Sequence, residues 1–201
     1  MRMSATTQIA VVTGGASGIG AATARRIVAD GGAVGILDLN ADAAHRLADD
    51  LGARAVAATA DVLDEDALAE ATARVERALG AVNTLVCCAG IPQVPTPIED
   101  WPTSEFRRIV DSHLTGTYAT CRVVGSRIAA GGGGAIVNLA SVVAVHPGPV
   151  LAYSAAKAAV VSLTHQQPSV MAYNGAIVGP EMPDDAVAVG AMWNIGEWRW
   201  K

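Results

Sequence analysis

What the chain lacks narrows its function before any motif is read. Aromatic residues make up only 4% of its 201 residues, and a single phenylalanine is among them. Charged residues reach only 16%, and the balance is acidic: 14 lysines and arginines against 19 aspartates and glutamates, a net charge of −5. No basic run exceeds Arg25-Arg26 or Arg107-Arg108, so neither nucleic acid nor an anionic membrane is an expected partner. The apolar stretch over residues 135–145 is interrupted by Asn138 and Ser141 and falls short of the ~20 residues a membrane span needs. The first residues pass from a short polar lead into Ile9-Ala10-Val11-Val12 without a separate apolar h-region, which does not fit a signal peptide. Cysteine is scarce and odd in number: Cys87, Cys88 and Cys121, with no CxxC spacing. That excludes a disulfide framework or zinc site as the leading expectation and fits reduced, buried thiols in the cytoplasm.

What is present is apolar residue and glycine. Hydrophobic residues make up 51% of the chain and glycines number 21, enough to build the core of one domain without covalent staples. Short apolar runs over residues 9–12, 33–37, 54–59, 84–88 and 135–139 read as strands. Longer alanine-rich patterns over 18–30, 41–51, 64–79 and 103–130 read as helices. Strands apolar on both faces, each followed by an amphipathic helix, predict a parallel sheet covered on both sides. Right-handed crossovers make that a doubly wound, Rossmann-type α/β layer. The rhythm fades near His165, so residues 1–164 are expected to form the dinucleotide-binding and catalytic domain and 165–201 a tail of it.

Thr13-Gly14-Gly15-Ala16-Ser17-Gly18-Ile19-Gly20 follows the first strand and opens the first helix. Glycines at such a turn allow a tight bend and close approach of backbone to a pyrophosphate, which the helix N-terminus then attracts. An acidic residue, Asp38, ends the second strand. A carboxylate there accepts hydrogen bonds from the adenosine hydroxyls and repels a 2′-phosphate. Neither the neighbouring Leu39 nor the glycine loop offers a cation, so NAD is the expected cofactor rather than NADP.

These residues resemble the classical short-chain dehydrogenase/reductase family. Thr13, Gly14, Gly18 and Gly20 fit its TGxxxGxG pattern, and Asp61-Val62 resembles its adenine-contacting pair. Leu85-Val86-Cys87-Cys88-Ala89-Gly90 resembles its fourth-strand NNAG signature, and His113-Leu114-Thr115-Gly116-Thr117 the segment carrying its active-site asparagine. Ser141, followed by Tyr153-Ser154-Ala155-Ala156-Lys157, fits its catalytic serine and YxxxK motif. The resemblance runs from about Gln8 to Thr164. It implies cofactor contacts at Gly14, Ser17, Gly18, Ile19, Gly20, Asp38, Leu39, Asp61, Val62, Cys88, Ala89, Gly90, Tyr153 and Lys157. It also implies a small-molecule alcohol or ketone substrate and a homo-oligomer formed through long helices.

The residues support the same chemistry on their own terms. Tyr153 and Lys157, four apart, share a helix face, and an ammonium near a phenol favours the phenolate, making a usable base. Ser141, just past the fifth strand, lies where open α/β sheets bind ligands. The expected activity is hydride transfer between NAD(H) and a secondary alcohol or ketone. The alternative is an NAD-binding remnant with little or no turnover. Two departures bear on this choice. His113 stands for the family's asparagine and either serves the proton relay in altered form or packs against the fourth strand. Cys88 stands for an asparagine whose cofactor contacts are partly backbone. A third departure is the tail. Pro168 is expected to interrupt the Tyr153 helix, residues 175–180 resemble a sixth strand only faintly, and no alternating strand follows. Order is therefore expected to fail after about Gln166 and leave the fifth strand as a bare edge. The tail reads either as a diverged substrate lid or as the out-of-frame product of a shortened reading frame.

Overall fold

The computed structural model describes residues 8–146, 148–172 and 191–195. Five strands run parallel: β1 (Ile9–Thr13), β2 (Ala33–Asp38), β3 (Ala55–Thr59), β4 (Thr84–Cys87) and β5 (Gly134–Asn138). A sixth, β6 (Ala191–Ile195), runs antiparallel, and the order is β3-β2-β1-β4-β5-β6. The order reverses between β1 and β4, the point at which an open α/β sheet forms its ligand crevice.

The strands are apolar along their whole length because both faces are covered. Successive side chains of a strand point to opposite faces. Val11 accordingly joins one buried cluster with Leu37, Leu68, Val75, Leu85 and Ile136, while its neighbours Ala10 and Val12 join another with Ile27, Ile36, Leu47 and Val86. Helices α1 (Gly18–Ala29) and α2 (Ala41–Leu51) supply the second cluster. Helix α3 (Glu65–Leu79) supplies the first. Asn40 and Asp64 cap α2 and α3, each side chain accepting a backbone N–H at 3.0 Å, which satisfies one of the four donors a helix start leaves free.

The sequence pattern over residues 103–130 predicts one helix, and the structure forms a continuous helical rod with two wide turns in it. Segments α4 (Thr103–Val110), α5 (Gly116–Thr120) and α6 (Ser126–Ala130) are joined by π turns at Asp111–Thr115 and Cys121–Gly125. Hydroxyls compete for the carbonyls along it: Thr117 donates to His113 and Thr120 to Gly116, each at 2.7 Å. Such back-bonding loosens regular α-helix pairing, and π turns frequently mark functional sites.

Two expectations about the C-terminal part are corrected. Pro168 does not end the helix that carries Tyr153: α7 extends over Leu151–Ala172. The missing proline N–H removes one hydrogen bond near the helix end, while buried Ala152, Ala156, Lys157, Val160 and Thr164 anchor the preceding turns. Packing outweighs local propensity. Nor is β5 a bare edge, because β6 pairs with it over its full length, from Gly134 opposite Ile195 to Asn138 opposite Ala191. Residues 175–180, the faint sixth-strand resemblance, lie outside the described residues. Among the described residues no helix is long and apolar enough to cross a membrane.

Candidate active site

The glycine loop takes the shape its residues permit. Gly14 has φ +60°, and a Cβ on it would lie 2.7 Å from the Ala89 Cα. The turn after β1 therefore crosses the turn after β4 backbone on backbone, which only glycine allows. At Gly20 a Cβ would strike the Gly14 carbonyl oxygen, so the first turn of α1 sits directly on the loop. Ser17, the N-cap residue, makes no capping bond with its side chain, and the first turn carries no acidic residue. The free N–H groups and the dipole of α1 thus face a cradle open to an anion.

The Asp38 carboxylate is fixed at the end of β2. Its Oδ2 accepts the Ala16 N–H at 3.0 Å and its Oδ1 the Asn40 N–H at 2.9 Å. Asp61 likewise accepts the Leu63 N–H at 2.9 Å. A groove of about 530 Å³ runs between these groups. It brings together every residue that the sequence proposes for the nucleotide part of the cofactor: Gly14, Ser17, Gly18, Ile19, Gly20, Asp38, Leu39, Asp61, Val62, Cys88, Ala89 and Gly90.

A second groove, of about 430 Å³, continues the first through the shared residues Ile19, Cys88, Ala89, Gly90, Ile91 and Leu139. It holds His113, Tyr153 and Lys157. Lys157 is buried. Its Nζ donates to the Leu139 carbonyl at 2.6 Å and lies 5.6 Å from the Tyr153 ring centre. Burial pushes its pKa below the usual lysine value, an effect that Cys87 and Cys88 oppose. The Tyr153 backbone N–H donates to Gln93 Oε1 at 2.8 Å, fixing the start of α7 to the segment after β4.

His113 is buried with its ring edge-on to Tyr153, the centres 4.8 Å apart and the planes at 81°. Its Nε2 lies 2.8 Å from the Ile91 carbonyl oxygen and 3.2 Å from the Ile91 nitrogen. The shorter contact assigns Nε2–H as donor, which leaves Nδ1 an acceptor, and Nδ1 is buried with no partner. Burial lowers the His113 pKa, Lys157 lowers it further, and the Ile91 bond opposes both. A Cβ on Gly90 would fall within the imidazole. The ring therefore packs just beyond β4, over Gly90 and against Tyr153.

Ser141 is placed differently. It is half-buried at the head of the turn Val142–Ala144, its Oγ accepts the Val143 N–H at 3.4 Å, and it lines neither groove, although Leu139 and Ala140 just before it do. The sequence reading also missed residues that do line the grooves: Arg108, Ser112, Ile91 and Gln93. Arg108, Ser112 and Gly116 stand four apart on the α4–α5 rod, a spacing that could have flagged them. Gln93 meets Tyr153 across sixty positions, and no sequence signal announces that contact.

The adjacent cysteines are not a redox pair. Cys87 belongs to one buried cluster, with Cys121, while Cys88 packs against the other. The Cys121 thiol and burial hold the Cys87 pKa well above its usual value, and burial raises that of Cys88 to about 11. None of the three cysteines is joined in a disulfide.

A parallel sheet with its crevice at the β1–β4 reversal, a glycine cradle and a tyrosine–lysine pair define a nucleotide-binding oxidoreductase architecture. The chain matches the short chain dehydrogenase family over residues 8–179 and belongs to it. It is 41% identical to a Sphingomonas sp. (strain SKA58) protein named 2-dehydro-3-deoxy-L-rhamnonate dehydrogenase (NAD(+)), over 87% of this chain and 70% of that one. It is 38% identical to the cis-4-hydroxycyclohexanecarboxylate dehydrogenase of Sinomonas cyclohexanicum, over 88% of this chain and 72% of the relative. Among solved structures, gox2181 superposes with a TM-score of 0.78 at 29% identity, covering 83% of this chain and 67% of its own.

Proposed function

We propose that the chain is an NAD(H)-dependent oxidoreductase that interconverts a secondary alcohol and the corresponding ketone. The observation that carries this reading is one continuous groove with Asp38 at one end and Tyr153, Lys157 and His113 at the other. The residues fit a dinucleotide. The Gly14–Gly20 loop leaves backbone exposed where a side chain would block a pyrophosphate, and the fixed Asp38 carboxylate suits a ribose diol. The two relatives named as dehydrogenases, one of them as NAD(+)-dependent, support the same assignment.

A bound nicotinamide supplies the hydride acceptor or donor. The chain's own residues handle the proton. In oxidation the Tyr153 oxygen would take the substrate's hydroxyl proton, and in reduction it would return it. The Lys157 ammonium, anchored on the Leu139 carbonyl beside the Tyr153 ring, is assigned to offset charge that develops on the tyrosine oxygen as the proton moves and to hold the nicotinamide ribose. Ser141 is assigned to orient the substrate oxygen, a role its hydroxyl reaches by leaving the Val143 N–H. The second reading, a nucleotide-binding protein with little turnover, draws on that displacement of Ser141 from the groove.

Two measurements test the assignment. NADH is expected to bind at least tenfold more tightly than NADPH, a gap of ~1.4 kcal/mol, and Asp38→Ala to narrow it; equal affinities in a fluorescence titration would refute the cofactor choice. Tyr153→Phe is expected to lower turnover ~10²–10⁴-fold with NADH affinity changed only a few-fold. A variant that keeps half its kcat removes Tyr153 from the mechanism.

A further inference from the structure

The glycine loop forms only part of the wall of the nucleotide groove. The helical rod forms another, laying Arg108 and Ser112 along it. The rod packs closely on the segment after β3 here: a Cβ on Gly116 would lie 2.5 Å from Val62 Cγ2. Asp38 and Asp61 are the acidic residues of the groove, and Arg108 is the only cation among its described lining residues. A dinucleotide's pyrophosphate is a dianion, and a helix N-terminus such as that of α1 offers roughly half a positive charge. The groove has one side chain to supply the rest.

The Arg108 guanidinium is held by one edge. Its Nε and Nη2 both donate to Glu105 Oε2, at 3.0 and 2.8 Å. Nη1, with its two N–H groups, makes no hydrogen bond among the described residues. An exposed ion pair three residues apart on a helix adds little stability. Its effect is to orient a long side chain. With the Nε edge taken by a carboxylate, the outer edge stays open as a planar fork, the geometry that grips phosphate oxygens in pairs.

We infer that Arg108 is a cofactor-binding residue whose open fork takes the pyrophosphate of the dinucleotide, the charge that the glycine loop meets with backbone alone. The inference deepens the oxidoreductase reading and rests on its nucleotide half. Two other placements of the guanidinium make different demands. Stacked on the adenine, it would act through the face of the ring. At the ribose 2′ position it would stand beside the Asp38 carboxylate and serve NADP alone.

The test uses the full chain with NADH, NADPH and ADP as probes. Fluorescence reads the reduced cofactors, and displacement of NADH reads ADP. Arg108→Ala is expected to weaken NADH and ADP alike, by about tenfold or more at low KCl. Raising the KCl concentration is expected to shrink that difference, because the lost interaction is between charges. Arg108→Lys keeps the stem and the charge without the fork, and is expected to recover part of the affinity. Unchanged NADH affinity, a loss that salt does not diminish, a loss confined to NADPH, or a lysine variant as weak as the alanine one overturns the assignment. The expected pattern in a chain that turns over no alcohol leaves Arg108 standing and sinks the oxidoreductase reading instead. A wild-type chain that binds none of the three probes sinks both.

Discussion

His113 and Gly90 form one unit, because the imidazole fills the space a side chain at Gly90 would need. Burial favours the neutral ring, so its pKa in the folded state lies below its value in the unfolded chain. As pH falls through the ordinary histidine range the unfolded chain takes up the proton first. The stability contributed by the neutral ring is present above that range and lost as pH drops through the lower, folded value. Urea unfolding is therefore expected to show a falling free energy between pH 7 and pH 5, with a shallower slope in His113→Asn. Identical slopes would remove His113 from the acid response. Residues whose position is set by their own strand or turn were legible in the sequence: Gly14, Gly18, Gly20 and Asp38 line one groove. His113 was legible as a departure, but its environment was not, since its bonds to Ile91 span 22 positions. Where the ring lands depends on how the α4–α5 rod lies across the sheet.

At the scale of elements, the five parallel strands were readable because burial on both faces forces an unbroken apolar run. Strand β6 was not readable. Its sequence Ala-Met-Trp-Asn-Ile carries neither a continuous apolar run nor clean alternation, and an antiparallel edge strand can be specified by its pairing with β5 alone. The two π turns escaped the sequence for a related reason: they depend on hydroxyl back-bonds and on packing of the rod, not on a change of residue pattern. Helix α7 shows tertiary packing outweighing a local signal at Pro168. Pro168→Ala restores a donor for the Thr164 carbonyl and is expected to stabilise the protein by up to about 3 kcal/mol, several degrees in Tm. An unchanged Tm would mean that the helix is already frayed at this point.

For the molecule as a whole, β6 pairs the backbone groups that β5 would otherwise leave available to another chain and becomes the edge strand in its place. Adjacent residues of an antiparallel strand alternate in whether their N–H faces the partner. Of Met192→Pro and Trp193→Pro, one is thus expected to remove a bond to β5, lower the unfolding midpoint and raise light scattering on warming, while the other has the smaller effect. Two silent variants would show that β6 contributes nothing to the sheet in solution. The crossing of Gly14 over Ala89 has a consequence of another kind. The two halves of the sheet meet there with no side chain between them, so no compensating substitution at a neighbour can absorb an added methyl. In a saturation library selected only for soluble expression, position 14 should be depleted of nearly every alternative before any cofactor is offered. The demand for a nucleotide cradle and the demand for a foldable chain fall on the same atom, and evolution cannot relax one while keeping the other.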